Sequence, residues 1–255
     1  MCYFDTHAHL LDEKFDGDRD ELILSLPGKG VGFFTECASD METAAHAVTL
    51  AQKYPMAYAA VGVHPHSAAE WEERDYQKLA ELARQEKVVA IGEIGLDYHY
   101  DFSPRDVQKA VFARQMELAG EAGLPVVVHS REATQDVLAI LRAYPAVTGV
   151  LHSFSGSVET MREVLEMGYY ISLSGVVTFK NAKKAAEAAA AVPPDKLLIE
   201  TDSPYMTPAP HRGKRNDPSY VQYTAQKIAE IRGMELEELR KVTTENAKAF
   251  FRISH

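Results

Sequence analysis

The sequence has few cysteines, no long apolar run and no excess of positive charge. Its two cysteines, Cys2 and Cys37, form neither a Cys-X-X-Cys pair nor a disulfide framework, which fits a reducing compartment. No stretch approaches the roughly 18 apolar residues of a membrane span, and the N-terminus lacks the basic and apolar regions of a secretion signal. We therefore expect a cytoplasmic protein that does not bind a membrane.

The charge balance is acidic. A formal net charge of -10 at pH 7 disfavours broad attraction to phosphate backbones, so any nucleic-acid binding needs a local basic patch or bound metal cations. Hydrophobic residues make up 46% and charged residues 25% of the chain. These fractions are ordinary for a globular protein and exclude long disorder, a collagen-like repeat and a coiled coil.

Glycine-rich phosphate loops are also absent. Gly28-Lys29-Gly30 is a lone turn, and no segment matches the dinucleotide-binding or P-loop patterns. No linker or low-complexity stretch divides the chain either, so we expect a single domain over residues 1–255.

Short apolar, β-branched or aromatic runs alternate with longer segments of helical periodicity. Eight strands are predicted, at Tyr3–Leu10, Val31–Ala38, Met56–Val63, Val88–Leu96, Pro125–His129, Gly149–Phe154, Tyr169–Ser174 and Leu197–Thr201. Nine helices are predicted, at Asp18–Leu26, Met41–Lys53, Asp75–Gln85, Pro104–Ala122, Arg131–Arg142, Val158–Met167, Ala182–Ala191, Pro218–Arg232 and Leu236–Phe251.

The number of strands decides between two α/β architectures. Most predicted strands are apolar on both faces, as expected of parallel strands buried between a core and a layer of helices, in a barrel or in an open sheet. Eight regularly spaced strand and helix units match a barrel, whereas open sheets more often stop at five to seven strands. The sequence therefore predicts an α/β protein with a (β/α)8 TIM barrel.

Two histidines stand at the end of the first predicted strand. His7 and His9 are two residues apart, so their side chains point to the same side of that strand. A lone buried histidine is usually a satisfied core residue, but two on one face are costly to desolvate without a ligand. We interpret this pair as metal ligands.

Further polar residues follow other strands, at the end where barrel enzymes place their chemistry. They are Glu93, His129, His152 and Asp202. Together with His7 and His9 they form a mixed nitrogen and oxygen set suited to zinc, manganese or magnesium. Six groups exceed the needs of one tetrahedral zinc, so we favour two metals with Glu93 as the bridge. Asp202 is then a weak ligand and the general base towards a water acidified by metal.

Six ordered motifs carry a resemblance to a known family. They are His7-Ala8-His9, Gly62-Val63-His64-Pro65-His66, Gly92-Glu93-Ile94-Gly95-Leu96-Asp97-Tyr98, His129-Ser130-Arg131, His152-Ser153-Phe154-Ser155-Gly156 and Glu200-Thr201-Asp202-Ser203-Pro204. The chain resembles the TatD-related metal-dependent hydrolases, often described as TatD-type deoxyribonucleases, from residue 5 to about residue 250.

The resemblance implies an amidohydrolase-type barrel with one or two divalent metals that hydrolyses DNA from a 3′ end. It assigns His7, His9 and Asp202 to one metal. It assigns His129 and His152 to the second, with Glu93 between the two. The related amidohydrolases that bridge their metals with a modified lysine differ, because the fourth strand here offers Glu93 and no lysine.

A basic loop offers a place for phosphate. Residues 210–216 are the densest basic patch in this acidic chain, and Arg212 and Arg215 can clamp a phosphate with bidentate geometry. A short charge run is otherwise usually a solvated loop. Three more candidate phosphate contacts lie on strand-end loops: His64, His66 and Arg131. His64-Pro65-His66 can also be a turn whose side chains face solvent.

Three functions remain open from the sequence. The leading one is a metal-dependent deoxyribonuclease acting on single-stranded DNA or 3′ ends. The second is a hydrolase of another bond, such as a D-aminoacyl-tRNA ester or a small amide or lactone, because fold does not determine substrate. The third is an inactive barrel that serves as a binding or scaffold protein, against which the intact ligand set argues. No protein partner can be inferred.

Overall fold

A computed structural model describes residues 2–253, in which strands and helices alternate. The strands are β1 (Tyr3–Ala8), β2 (Val31–Cys37), β3 (Ala57–Val61), β4 (Val88–Asp97), β5 (Val126–Arg131), β6 (Gly149–Leu151), β7 (Tyr170–Leu173) and β8 (Leu197–Ile199). The helices are α1 (Arg19–Ser25), α2 (Met41–Lys53), α3 (Glu73–Leu82), α4 (Arg105–Ala122), α5 (Thr134–Ala143), α6 (Val158–Glu166), α7 (Lys183–Ala191), α8 (Val221–Arg232) and α9 (Leu236–Phe250).

The eight strands form one sheet in the order β1 to β8, so neighbours in the sheet are also neighbours in the chain. The β3–β4, β4–β5, β5–β6 and β7–β8 pairs are parallel. Eight strands in sequential order, alternating with helices, are the topology of the (β/α)8 class. The predicted fold class is confirmed.

The described residues divide into two compact units. The first unit comprises residues 2–35, 152–165 and 170–253, and the second comprises residues 36–151 and 166–169. The first unit contains β1, β7 and β8, and the second contains β3, β4, β5 and β6. The single domain expected for residues 1–255 stays a prediction.

In the first unit, aromatic packing fixes β1. All six residues of β1 are buried, and the Phe4 ring lies 5.5 Å from the ring of Phe33 and 5.7 Å from that of Phe251. Aromatic pairs at such distances add stability beyond the area they bury. The C-terminal end of β1 is thereby set beside the segment after β8, where Ala8 and Ser203 form a parallel bridge.

In the second unit, an irregularity in β4 sets the position of Glu93. All ten residues of β4 are buried. Ile91 pairs with Val126 and Ile94 with Val128, so β4 contains one residue more than β5 between these two pairs, which is a β-bulge. Such bulges re-aim side chains and are frequent beside active sites. Glu93 lies within the bulge.

Gly95 lets β4 approach β5 closely. Its φ is +139°, and a Cβ at this position would lie 2.1 Å from the carbonyl oxygen of His129, with which Gly95 pairs. Only glycine tolerates both the backbone conformation and the contact. The glycine therefore sets the register that places His129 level with the end of β4.

Two predicted element ends were wrong in ways that concern the site. Arg131, predicted to start a helix, is the last residue of β5 and pairs with Asp97, and α5 begins only at Thr134. His152, predicted to lie within a strand, follows β6 directly. Among the helices in residues 2–253, none has the length and hydropathy needed to cross a membrane.

Candidate metal sites

The first unit brings together three predicted metal ligands, His7, His9 and Asp202, which we call the His7 cluster. The Nε2 atoms of His7 and His9 are 3.0 Å apart. Asp202 Oδ1 lies 3.8 Å from His7 Nε2 and 3.6 Å from His9 Nε2. Donors about 2.1 Å from a tetrahedral ion are about 3.4 Å from one another. The three atoms therefore have the spacing of three ligands to one divalent cation.

Asp202 is charged and its backbone is constrained. Burial alone would raise its pKa, but the hydrogen bond from His9 and the nearby imidazole of His152 hold the pKa below its ordinary value. Its φ of 57° is in the left-handed region, which is uncommon for residues with a Cβ and occurs at functional sites. The Asp202 N–H donates to His7 O at 2.9 Å, which joins this segment to β1.

A second carboxylate, Asp5, lies next to the His7 cluster and hydrogen-bonds to the segment that carries Asp202. Asp5 lies fully buried on the same face of β1 as His7. It accepts hydrogen bonds from the Thr201 N–H at 2.8 Å and the Thr201 hydroxyl at 2.5 Å. Burial raises the pKa of Asp5 well above its ordinary value, and the Thr201 bonds only partly offset that rise. Asp5 thus connects β1 to the residue that precedes Asp202.

His152 lies in the first unit beside the His7 cluster. Its ring stacks on that of His7 with centroids 4.0 Å apart, and its Nδ1 is 3.3 Å from Glu200 Oε1. Glu200 Oε1 also accepts the Ser153 N–H at 2.6 Å. The other oxygen, Oε2, is buried and has no hydrogen-bond partner within residues 2–253. A buried carboxylate in this state requires a nearby positive charge, which a bound cation supplies.

The second unit holds another donor set, His64, Glu93 and His129, which we call the Glu93 cluster. Glu93 Oε1 lies 3.4 Å from His64 Nε2 and 2.9 Å from His129 Nδ1. One donor atom from each of the three residues lies within 4.8 Å of the others. Glu93 is only 2% exposed, so its charge is stabilised by these neighbours rather than by water.

His64 and His129 turn different ring nitrogens towards Glu93. The His66 N–H donates to His64 Nδ1 at 3.1 Å, which leaves the proton of neutral His64 on Nε2, facing Glu93. Burial lowers the pKa of His64 to about 4, although Glu93 opposes that shift, so the ring is neutral at pH 7. His64 therefore offers a proton donor rather than a lone pair, which suits a substrate contact better than a metal ligand.

Asp97 contacts the other ring nitrogen of His129. Asp97 Oδ2 lies 3.0 Å from His129 Nε2, which donates to it, and Nδ1 faces Glu93 Oε1 at 2.9 Å. Burial alone would raise the pKa of Asp97, but bonds from His129 and from the Tyr100 N–H hold it well below its usual range. A carboxylate behind a histidine in this way is the usual orienting partner of a metal ligand.

The residues predicted to contact phosphate have diverse surroundings. His66 Nε2 is 3.1 Å from Asp97 Oδ2, and the Arg131 guanidinium lies 4.7 Å above the Tyr100 ring. In the first unit, Arg212 stacks on Phe179 at 3.8 Å, with its guanidinium donating to Thr207 O. Arg215 instead forms a bidentate pair with Asp18, at 2.7 and 2.6 Å. The phosphate clamp of Arg212 and Arg215 stays a prediction.

Sequence reasoning did not single out Asp97, Glu200 or Asp5. Each lies within or just before a motif that it used, and each interrupts a buried strand or its end with a carboxylate. Their partners, however, are 30 or more residues away in the chain for Asp97 and Glu200, so their role depends on tertiary contacts. The pairing of Asp5 with Thr201 is of the same kind.

The donor chemistry of both clusters fits divalent metal. Each combines imidazole nitrogen with a buried carboxylate. Two further signs of such an ion are the Asp97 carboxylate behind His129 and, beside the His7 cluster, the buried Glu200 Oε2, which has no hydrogen-bond partner within residues 2–253. The predicted bridging role of Glu93 and the pairing of His129 with His152 stay predictions.

Comparison with known proteins gives concordant matches across the chain. The family described as TatD related DNase matches residues 4–252. The uncharacterized metal-dependent hydrolase YabD of Bacillus subtilis is 49% identical over 98% of this chain and 99% of its own length. The 3'-5' ssDNA/RNA exonuclease TatD of Escherichia fergusonii is 34% identical over 98% of this chain and 99% of its own length. The crystal structure of YJJV, a TatD homologue from Escherichia coli, superposes with a TM-score of 0.93, with 30% identity over 99% of this chain and 98% of its own.

Proposed function

We propose, from the premise that this chain belongs to the TatD-related DNase family and is a metal-dependent hydrolase, that it removes nucleotides from the 3′ end of single-stranded DNA. The name of the Escherichia fergusonii relative, a 3'-5' ssDNA/RNA exonuclease, supports the bond, the strand and the polarity. The observation that carries the proposal is the pair of buried nitrogen and oxygen donor sets, the His7 cluster and the Glu93 cluster.

These donors leave specific tasks to individual residues. His7, His9 and Asp202 would hold one divalent ion, and Glu93, His129 and His152 are the further candidate ligands. Bound metal supplies Lewis-acid polarisation of the phosphoryl group and makes water easier to deprotonate. Its ionised carboxylate lets Asp202 take a proton from the attacking water.

Two side chains of the second unit can bind the substrate itself. His64 presents a neutral Nε2–H that can donate to a phosphate oxygen. Arg131 carries a permanent charge and forms no salt bridge within residues 2–253, so it can bind a neighbouring phosphate. Together they position the scissile bond by charge and by hydrogen bonding rather than by covalent chemistry.

The test is cleavage of a single-stranded oligonucleotide labelled at either end. Metal-stripped protein is assayed alone and with magnesium, manganese or zinc, beside Glu93→Gln and Asp202→Asn. We expect metal-dependent release of mononucleotides from the 3′ end and a fall in kcat of at least about 100-fold in both variants. Glu238→Gln, which alters an exposed carboxylate on α9, is the matched control and should retain wild-type kcat.

Two other results would redirect the assignment. Tight metal binding without any cleavage of nucleic acid would favour a D-aminoacyl-tRNA ester or a small amide or lactone as the substrate. The same protein preparations can be assayed with these compounds. Absence of all hydrolysis in a protein that still binds metal supports a binding or scaffold role. The buried donors argue against that role, since a scaffold gains nothing from the desolvation of so many polar groups.

A further inference from the structure

Two aromatic rings of the second unit are exposed next to each other. Tyr100 is 47% and Phe102 is 67% exposed, and their rings stack with centroids 5.3 Å apart at 20°. Both lie in the loop between β4 and α4, and we call the pair the Tyr100 platform. Adjacent large apolar rings with this exposure are a mark of a binding surface rather than of a core.

The platform is continuous with the Glu93 cluster. The His66 ring meets Tyr100 edge-on at 5.4 Å and Phe102 at 4.8 Å. His66 also bonds to Asp97, which orients His129. The His66 and Asp97 side chains therefore form a continuous set of contacts from the exposed rings to His129, a candidate metal ligand.

Charge beside the platform suits a phosphate. Arg131 lies over the Tyr100 ring, with its guanidinium carbon 4.7 Å from the ring centre. The acidic side chains of the same surface have partners of their own: Asp101 forms a salt bridge with Arg105 at 2.6 Å, and Glu132 lies 2.8 Å from His99 Nδ1. The surface therefore presents an exposed apolar area beside the Arg131 guanidinium.

Buried hydrogen bonds hold the loop in place. Gln108 of α4 accepts the Asp97 N–H at 2.9 Å and donates to Ser103 O at 2.8 Å. The Ser103 hydroxyl donates in turn to His66 O at 2.9 Å. Gln108 and Ser103 are both fully buried, so the exposed rings stand on a loop that is tied down from within.

We propose that the Tyr100 platform binds an unpaired nucleobase of the substrate by stacking, with Arg131 on the adjoining phosphate. The inference rests on the proposed nuclease function and adds to it a reason for single-strand preference. Every base has a π-face, so a stacking site tolerates sequence but needs a base that is not already stacked within a duplex. The ring pair matches the base and the guanidinium matches the phosphate, and every nucleotide of the strand carries both.

Binding of a fluorescent thymidine oligonucleotide, followed by anisotropy, tests the platform. We expect Phe102→Ala to raise Kd by about 5- to 100-fold, the range that loss of one base-stacking contact gives. Phe102→Trp should retain binding. Leu24→Ala is the matched control, because Leu24 is an apolar residue of α1 that is 68% exposed and is not part of the platform. The Kd of this variant should equal that of wild type. Thermal unfolding establishes that the variants fold.

An abasic oligonucleotide of the same length separates stacking from charge. Without bases, wild type and Phe102→Ala should bind equally weakly, whereas Arg131→Ala should weaken binding of both oligonucleotides. An unchanged Kd for Phe102→Ala on the thymidine strand, in a protein that binds and cleaves it, overturns the platform and leaves the nuclease proposal standing. A wild-type protein that does not bind single strands overturns both.

Discussion

The two histidines beside Glu93 turn different ring nitrogens towards it. The His66 backbone donates to His64 Nδ1, which leaves His64 a donor at Nε2. His129 Nε2 donates to Asp97, so Nδ1 is the His129 atom that would bind a metal. One ring is thereby suited to a phosphate oxygen and the other to a metal. The sequence placed His129 among the metal ligands and His64 among the phosphate contacts, but the partners that orient each ring come from the folded chain.

Asp97→Asn tests the orienting role at this scale. An amide that turns its NH2 towards His129 opposes the tautomer that presents Nδ1, so we expect metal affinity to fall about 10- to 100-fold. The measurement is titration of metal-stripped protein with zinc or manganese against a chromophoric chelator, independent of any substrate. Asp101→Asn, which alters an exposed carboxylate in the loop that follows β4, is the control. Equal affinities in the two variants would show that Asp97 does not orient a ligand.

At the scale of elements, the local sequence pattern predicted most of the strands and helices. α2 was predicted at its observed bounds of Met41–Lys53, since the helical spacing of apolar residues covers this segment, and in the structure Asp40 caps its first turn. The bulge in β4 was not predictable, because it is defined by the register with β5, a contact between distant segments. Arg131 was placed in a helix for the same reason: its pairing with Asp97 extends β5 beyond the apolar run.

Gly95→Ala probes the β4–β5 junction. A methyl group would lie 2.1 Å from His129 O on a backbone with φ of +139°, so the strands must separate. We expect the free energy of unfolding to fall by about 1–3 kcal/mol, with weaker metal binding because His129 moves. Urea denaturation measures the change. Gly120→Ala, in α4 where the added carbon meets only an ordinary 3.6 Å contact, should be neutral or stabilising.

At the scale of the whole molecule, each unit contains its own donor set. The His7 cluster joins the end of β1 to the segment after β8, and the Glu93 cluster joins three separate segments of the second unit. The sequence singled out these residues as site candidates, because histidines and carboxylates at strand ends are conspicuous in apolar surroundings. It could not predict the supporting carboxylates, which are recognisable only once the strands are in register.

Metal removal should therefore destabilise the protein as a whole. A ligand at 100 times its Kd stabilises the folded state by about 2.7 kcal/mol, which for a chain of this size raises Tm by about 5–10 °C. We expect differential scanning calorimetry to show that shift between chelated and metal-loaded protein, and a smaller shift in His9→Gln, which retains the Glu93 cluster. The same Tm with and without metal would contradict binding at these donors.

The anchoring of the β4–α4 loop by Gln108 has a consequence for how tightly a strand is held. A flexible loop must give up conformational entropy each time it captures a ligand, and that loss subtracts from the affinity of every contact it makes. Here the loss has already occurred during folding, at the cost of burying one glutamine. A single stacked base can then contribute most of its interaction energy to binding, and a strand can be released and recaptured one nucleotide further along without the loop having to refold.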